Sequence, residues 1–216
     1  SSMSLSSLDV SQNTALTELN CYENDITTLD LSQNTTLTYL NCERNWVLTD
    51  LDVSANSDLE YLNCHDNLLN SLDVSNKLSL IYLYCQDNQI TALDVSQSSD
   101  LIELNCNDNQ LTNLDVKNGN NTNFIFFKCN DNPNLTCINV DDAIWSTANW
   151  TVANGNIDAQ HYFSNNCSGT GIEESTTNKK LLRTIDVLGR ETKGTKNEPL
   201  FYIYDDGTVE KKVFIE

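Results

Sequence analysis

Proline, glycine and basic residues are all scarce in this chain. Its 216 residues include two prolines and seven glycines, too few for a collagen-like or Pro/Gly-rich linker protein. Twelve Lys and Arg face 31 Asp and Glu, a net charge of −19. So acidic a surface repels phosphate backbones and argues against nucleic acid as a partner. No apolar run approaches the ~18 residues that a transmembrane helix needs. Histidine occurs twice, at His65 and His161. Neither stands at a nucleophile–base or metal-ligand spacing, so no catalytic residue, metal or cofactor is expected. Asparagine is the excess: 31 residues, 25 of them before position 150, at nearly regular intervals that point to a repeat.

Cysteine fixes the period. Cys21, Cys42, Cys64, Cys85, Cys106 and Cys129 are separated by 21, 22, 21, 21 and 23 residues. Around each lies one pattern, as in Leu16-Thr-Glu-Leu19-Asn-Cys21-Tyr-Glu-Asn24. It returns at Leu37-Leu40-Cys42-Asn45, Leu59-Leu62-Cys64-Asn67, Leu80-Leu83-Cys85-Asn88 and Leu101-Leu104-Cys106-Asn109, with a degraded copy at Phe124-Phe127-Cys129-Asn132. The pattern resembles the leucine-rich repeat, with Cys at the third consensus leucine. The resemblance implies a mainly β solenoid over residues 1–136, with a parallel concave sheet.

Residues two apart on a strand share a face, so Leu19 and Cys21 point inward together. One coil cannot bury its apolar side alone, whereas stacked coils form a continuous core. Asn24, Asn45, Asn67, Asn88, Asn109 and Asn132 are expected to form a buried amide column that satisfies turn backbone. The return segment Leu-Asp-Val-Ser is too short for a helix, so extended or 3₁₀ structure is expected on the convex side. Its aspartates, Asp9, Asp30, Asp52, Asp73, Asp94 and Asp115, suit either a calcium ladder or Asx-type bonds to their own turns. The missing glycine-rich turns favour the second.

Cys137 and Cys167 break the period, and a disulfide between them is expected to staple a cap at 137–168. That bond implies an oxidising compartment. Two helices are expected in the cap, opening at Asp141-Asp142 and at Asp158. Trp145, Trp150, Tyr162 and Phe163 are available to cover the end of the stack.

The variable positions of the motif project from the concave face. Tyr39, Tyr61, Tyr82, Tyr84 and Phe126 give an aromatic stripe, Asn41, Asn63 and Asn105 an amide column, and Asp66, Asp87 and Asp108 an acidic edge. Tyrosine rows serve recognition and also stabilise sheets by neighbour contacts; both roles stand. The edge suits a basic protein, and the Tyr/Asn mixture suits a glycan.

Charge divides the chain. Residues 1–175 hold four basic and 24 acidic residues, a net of −20, and residues 176–216 hold eight and seven, a net of +1. The turn-rich Ser168-Gly-Thr-Gly marks the change. The tail contains Ile185-Asp-Val-Leu-Gly189-Arg190-Glu191, an aromatic strand before Asp206-Gly207, which is a hairpin signal, and Lys211-Lys212-Val-Phe-Ile-Glu216. It resembles the C-terminal sorting domain of type IX secretion substrates of Bacteroidetes. The resemblance implies Gly189, Arg190, Glu191, Lys211 and Lys212 as sorting residues and the secretion machinery as a partner. The implied location is secreted, or on the outer-membrane surface of a Gram-negative bacterium.

Leu8-Asp9-Val10-Ser11 already lies in mid-repeat, and no signal-peptide pattern precedes it, so the chain is read as part of a longer precursor. The expected function is a non-enzymatic recognition module for a protein or glycan. The alternatives are a structural or adhesive spacer in a larger surface protein, or a glycan-binding accessory of a polysaccharide-degrading system.

Overall fold

A computed structural model of the chain describes residues 4–167, 181–185, 190–192, 199–204 and 209–213. The chain divides into two compact units, Ser1–Ser168 and Gly169–Glu216. The strands of the first are β1 (Glu18–Asn20), β2 (Tyr39–Asn41), β3 (Tyr61–Asn63), β4 (Tyr82–Tyr84), β5 (Ala92–Asp94), β6 (Glu103–Asn105), β7 (Asn113–Asp115), β8 (Phe126–Lys128), β9 (Cys137–Asn139) and β10 (Tyr162–Ser164). A six-stranded parallel sheet runs β1-β2-β3-β4-β6-β8, and a second parallel sheet runs β10-β9-β7-β5. The unit is a leucine-rich-repeat-like parallel β-solenoid.

Its register follows from the repeat. Leu19, Leu40, Leu62, Leu83, Leu104 and Phe127 pair strand to strand. Each ladder cysteine directly follows its strand, and its N–H continues the ladder, as from Cys42 to Asn63 O (2.9 Å) and from Cys85 to Asn105 O (2.9 Å). All six thiols are free and buried in the apolar core. Burial pushes Cys21 up to about 11 and the other five well above the usual thiol range. They are protonated packing groups, shielded from the thiolate chemistry that oxidation requires.

After each cysteine the chain turns through a left-handed residue: Glu23, Arg44, Asp66, Asp87, Asp108 and Asp131, with φ between 50° and 56°. Asp tolerates that region better than most side chains. The turn brings the next asparagine beneath the backbone. Asn45 Nδ2 donates to Cys42 O and to Cys21 O one coil earlier, both at 3.0 Å, and its Oδ1 accepts from Ile26 N at 3.0 Å. Asn88, Asn109 and Asn132 repeat the pattern. One amide thus ties three backbone groups of two coils.

The convex segments are extended, and from Ala92 onward they pair as the second sheet. Each turn aspartate accepts the N–H two residues on, from Asp9 with Ser11 (2.9 Å) to Asp115 with Lys117 (2.9 Å). The serine hydroxyl and amide hold Asp9, Asp30, Asp52 and Asp73 below the ordinary carboxylate range. Through Oδ1 these carboxylates serve their own turns, the Asx geometry expected of them. A second buried column lies beside them. Asn34 Nδ2 donates to Val10 O and Asn13 O, and Asn56 Nδ2 to Leu31 O and Asn34 O. Lys77, Ser98 and Asn118 occupy the same place in later coils, all buried.

The cap holds one helix, not two. Helix α1 (Ala143–Asn149) opens at Asp142, whose Oδ1 accepts from Ile144 N and Trp145 N. The segment after Asp158 is a turn leading into β10, which adds to β9 in parallel register. The exposed edge of β9 offers Tyr-Phe-Ser a full ladder, which outweighs its weak helical spacing. Trp150 is the hub of the end, 4.1 Å from Phe127, 5.5 Å from Trp145 and 5.7 Å from Phe163. Tyr162, by contrast, is exposed and does not cover the stack. Cys137 and Cys167 are disulfide-bonded.

The second unit is an antiparallel sheet of β11 (Leu181–Ile185), β12 (Pro199–Tyr204) and β13 (Val209–Val213), in that order.

Candidate functional site

The concave face is built from the outward residues of six short strands, so its chemistry changes only slowly from coil to coil. Parallel register places Tyr39 beside Tyr61 and Tyr61 beside Tyr82. Tyr39 and Tyr61 stack at 4.4 Å and 11°, whereas Tyr61 meets Tyr82 at 6.0 Å and Tyr84 at 5.8 Å with tilted rings. All four rings are half-buried. Tyr84 Oη donates to Glu103 Oε2, and burial together with that carboxylate raises its hydroxyl well above the ordinary tyrosine range. Burial and the Tyr39 neighbour also raise Tyr61.

The amide column is only partly available. Asn41 and Asn63 are 8% and 6% exposed, which corrects the expectation of an open amide row; Asn105 alone is half-buried. Both buried amides face residues two further on. Asn41 Oδ1 accepts from Glu43 N at 3.1 Å. Asn63 Oδ1 lies 2.8 Å from His65 Nδ1, and its Nδ2 donates to Glu43 Oε2. His65 also lies 3.2 Å from Glu43 Oε2 and 3.5 Å from Asp66 Oδ2. The long side chains after each cysteine therefore close over the amides before it.

The acidic edge is exposed at Asp87 and Asp108 and half-buried at Asp66. Arg44 interrupts it, bonding Glu23 at 2.8 Å and Asp66 at 3.3 Å. Partial burial, with Asp108 and Asp66 on either side, raises the Asp87 carboxyl. Phe126 ends the aromatic row, with Lys128 Nζ 5.8 Å from its ring centre. Glu43 and Glu103, which no motif singled out, hold the face together by accepting from Asn63 and Tyr84. Glu103 pairs in register with Tyr82 rather than Tyr84, and Glu43 follows the strand whose Asn41 pairs with Asn63, so register alone singles out neither.

Among the described residues, a Cys, a His and an Asp meet in the core. Cys129 Sγ lies 3.9 Å from His161 Nδ1, and His161 Nε2 is 3.6 Å from Asp158 Oδ2. The His161 side chain is wholly buried, and its Nδ1 accepts from Asp158 N at 3.2 Å. Burial keeps Cys129 protonated. The group closes the asparagine column: Asp158 Oδ2 accepts from Asn132 N, and His161 Nε2 reaches Asn132 O at 3.3 Å. Among the described residues, no cluster of His, Cys, Asp or Glu has the arrangement of a metal site.

With this geometry in hand, likeness to known proteins is narrow. No protein-family model and no curated protein matches the chain. Similar solved structures include the functional domain of InlJ from Listeria monocytogenes, described as including a cysteine ladder, at 37% identity and a TM-score of 0.48. The match covers 63% of this chain and 37% of that one, so the chain spans little more than a third of its length.

In the second unit, Arg190 and Glu191 are exposed, and Glu191 bridges to Ile185. Lys211 and Lys212 stand opposite Phe201 and Leu200 in β13. Gly189, the Asp206-Gly207 turn and the Ser168-Gly-Thr-Gly boundary lie outside the described residues. Among the described residues, no helix is long and apolar enough to cross a membrane.

Proposed function

We propose that the solenoid is a non-enzymatic recognition module that binds a protein partner through its concave face. The observation that carries this reading is the half-buried tyrosine cluster. Four rings lie at centroid distances of 4.4–6.0 Å on a sheet whose other outward residues, Phe126 apart, are polar. Held against one another, the rings lose little conformational freedom on binding and offer both apolar area and hydroxyls. The exposed carboxylates of Asp87 and Asp108 beside them favour a partner with a basic rim, which they would steer and orient. A glycan is the second reading, supported by the half-buried Asn105 and Asn107 next to the rings.

The proposal extends to the cap and the tail. Residues 137–168 cap the stack, and residues 176–216 form a sorting-type tail recognised by a type IX-like export system, which delivers the solenoid to the cell surface of a Gram-negative bacterium. A disulfide at Cys137–Cys167 supports an oxidising destination. The tail's net charge of +1 against −20 for the rest supports a separate role. A spacer role in a larger surface protein would use the tyrosine cluster for sheet stability alone.

The test is a comparison of Tyr82→Ser, which leaves the Tyr39–Tyr61 stack intact, with Thr112→Ser on the convex side. The first is expected to weaken binding to a surface-displayed protein partner at least tenfold while lowering the melting temperature by only a few degrees, about what loss of one ring pair costs. Equal binding by both variants overturns the reading. Deletion of 176–216 in the native host tests the tail, with retention of a folded solenoid in the periplasm as the expected result.

A further inference from the structure

Where the last concave strand meets the cap, a cleft of about 370 Å³ opens, and its lining includes Phe126, Lys128, Trp145, Asn149 and Asn154. Its size falls within the range of small-ligand sites. The floor is rigid: Trp150 stacks on Phe127 at 4.1 Å and 22° and meets Trp145 edge-on at 5.5 Å.

Lys128 sets the charge of the site. Between residues 4 and 167 there are four basic residues against 22 acidic. Arg44 is held between two carboxylates, Lys117 Nζ donates to Asn165 O, and Lys77 is buried on the convex side. Among the described residues, no carboxylate pairs with Lys128, whose Nζ lies 5.8 Å from the centre of the Phe126 ring. The nearest coil neighbour of Phe126 is Glu103, already engaged by Tyr84. An ammonium without a carboxylate, in so acidic a unit, marks a place where the ligand supplies the anion.

The walls set the rest. Both asparagines line the cleft: Asn149 Nδ2 donates to Trp145 O, and among the described residues its Oδ1 accepts no bond and Asn154 is bonded through its backbone only. Amide groups beside flat rings suit a hydroxylated ring. A peptide strand has no edge to join here, because Asn156 O accepts from Cys129 N at 2.8 Å and Asn156 Nδ2 donates to Phe127 O at 2.8 Å.

We propose that this cleft binds a sugar ring that carries a carboxylate. The acid group meets Lys128 Nζ, one face of the ring lies on Phe126 and Trp145, and hydroxyls meet Asn149 and Asn154. The site is separate from the tyrosine cluster, and neither depends on the other.

The cleft reports on itself, since two of the three tryptophans, Trp145 and Trp150, line it. The full chain carrying Trp46→Phe is titrated with trigalacturonate, with neutral galactotriose and with a tri-glutamate peptide, while indole emission is followed. Trigalacturonate is expected to give a saturable change that weakens as salt rises, with galactotriose at least tenfold weaker. Lys128→Gln is expected to remove that preference while leaving the melting temperature unchanged. Trp145→Phe, which keeps an aromatic wall, is expected to retain it.

Three results overturn the proposal. They are no saturable change up to about 20 mM, well beyond the millimolar range of weak single-ring sites; a preference that survives Lys128→Gln; or tri-glutamate binding as tightly as trigalacturonate. None of these bears on Tyr82→Ser, so the concave-face reading stands or falls by itself.

Discussion

Replacing Asn67 by alanine removes four hydrogen bonds at once. Its Nδ2 donates to Cys42 O (3.1 Å), Cys64 O (2.9 Å) and His65 O (3.1 Å), and its Oδ1 accepts from Asn45 N (3.1 Å). The site is 5% exposed, so water does not readily replace the amide. The N–H of Asn45 loses its acceptor at a buried position, a cost of about 1–3 kcal/mol. The Cys42 and Cys64 carbonyls each keep a second lone pair, so their loss adds less, and a total of about 3 kcal/mol is expected. For a protein of this size that lowers the melting temperature by roughly 6–12 °C.

Asn67→Asp keeps the volume and the acceptor but turns a carboxylate oxygen toward three carbonyls, so it is expected to cost more than alanine at neutral pH. Asn70, exposed on the same coil, is expected to tolerate alanine within about 0.5 kcal/mol. Urea melts of the three variants, with hydrogen exchange at Asn45 N–H, give the answer. Equal losses at positions 67 and 70, or unchanged exchange at Asn45, refute the column as a structural tie.

Four further outcomes follow from the same geometry. Unfolding the unreduced chain should expose six reactive thiols, and eight would contradict the Cys137–Cys167 bond, while the native chain should react slowly at all six. Tyr61→Ala, which breaks ring contacts to Tyr39, Tyr82 and Tyr84, should cost about 1.5–4.5 kcal/mol at roughly 0.5–1.5 per pair, whereas Tyr61→Phe should cost little; equal losses would contradict stacking as the cause. Lys77→Asn, which restores the amide of the second column, should raise stability by about 1 kcal/mol in a thermal melt, and a fall of that size would count against the column.

The fourth concerns pH. Asp87, raised by burial and like charges, strains the native state when ionised, and this strain is relieved as pH falls through its raised native value. Asp9, Asp30, Asp52 and Asp73 are lowered, so their contribution is present above about pH 4, the unfolded value, and is lost as pH falls through their native values. Melting temperature should therefore rise as pH falls from 7 through the raised Asp87 value and drop once pH falls below 3.8, the ordinary Asp value, toward the lowered native values; a steady fall from pH 7 downward would contradict the assignment.

The ladder and the first asparagine column were legible because every coil repeats the same residue at the same place. The second column runs on the same period, but Lys77 and Ser98 hide it, since a lysine in sequence reads as a solvated side chain. Alternation correctly turned Asn41 and Asn63 to the concave side of their strands. It carried no information about the Glu43 and His65 side chains that then cover them. The segment after Asp158 failed for a different reason: the apolar pair Tyr162-Phe163 fits a helix or a strand, and the open edge of β9 decides between them. The aromatic cleft was illegible because Lys128 and Trp145 come from different elements that only the folded cap brings together.

The claim that the concave face is the recognition surface is tested most directly by site-specific photo-crosslinking. A benzophenone side chain is placed at Tyr82 in one sample and at Thr112, exposed on the convex side, in another, and both are presented to intact surface proteins. The account predicts a discrete crosslinked product from position 82 alone, which disappears when excess unmodified chain competes. Products of equal yield from both positions, or a product from position 112 only, would contradict it.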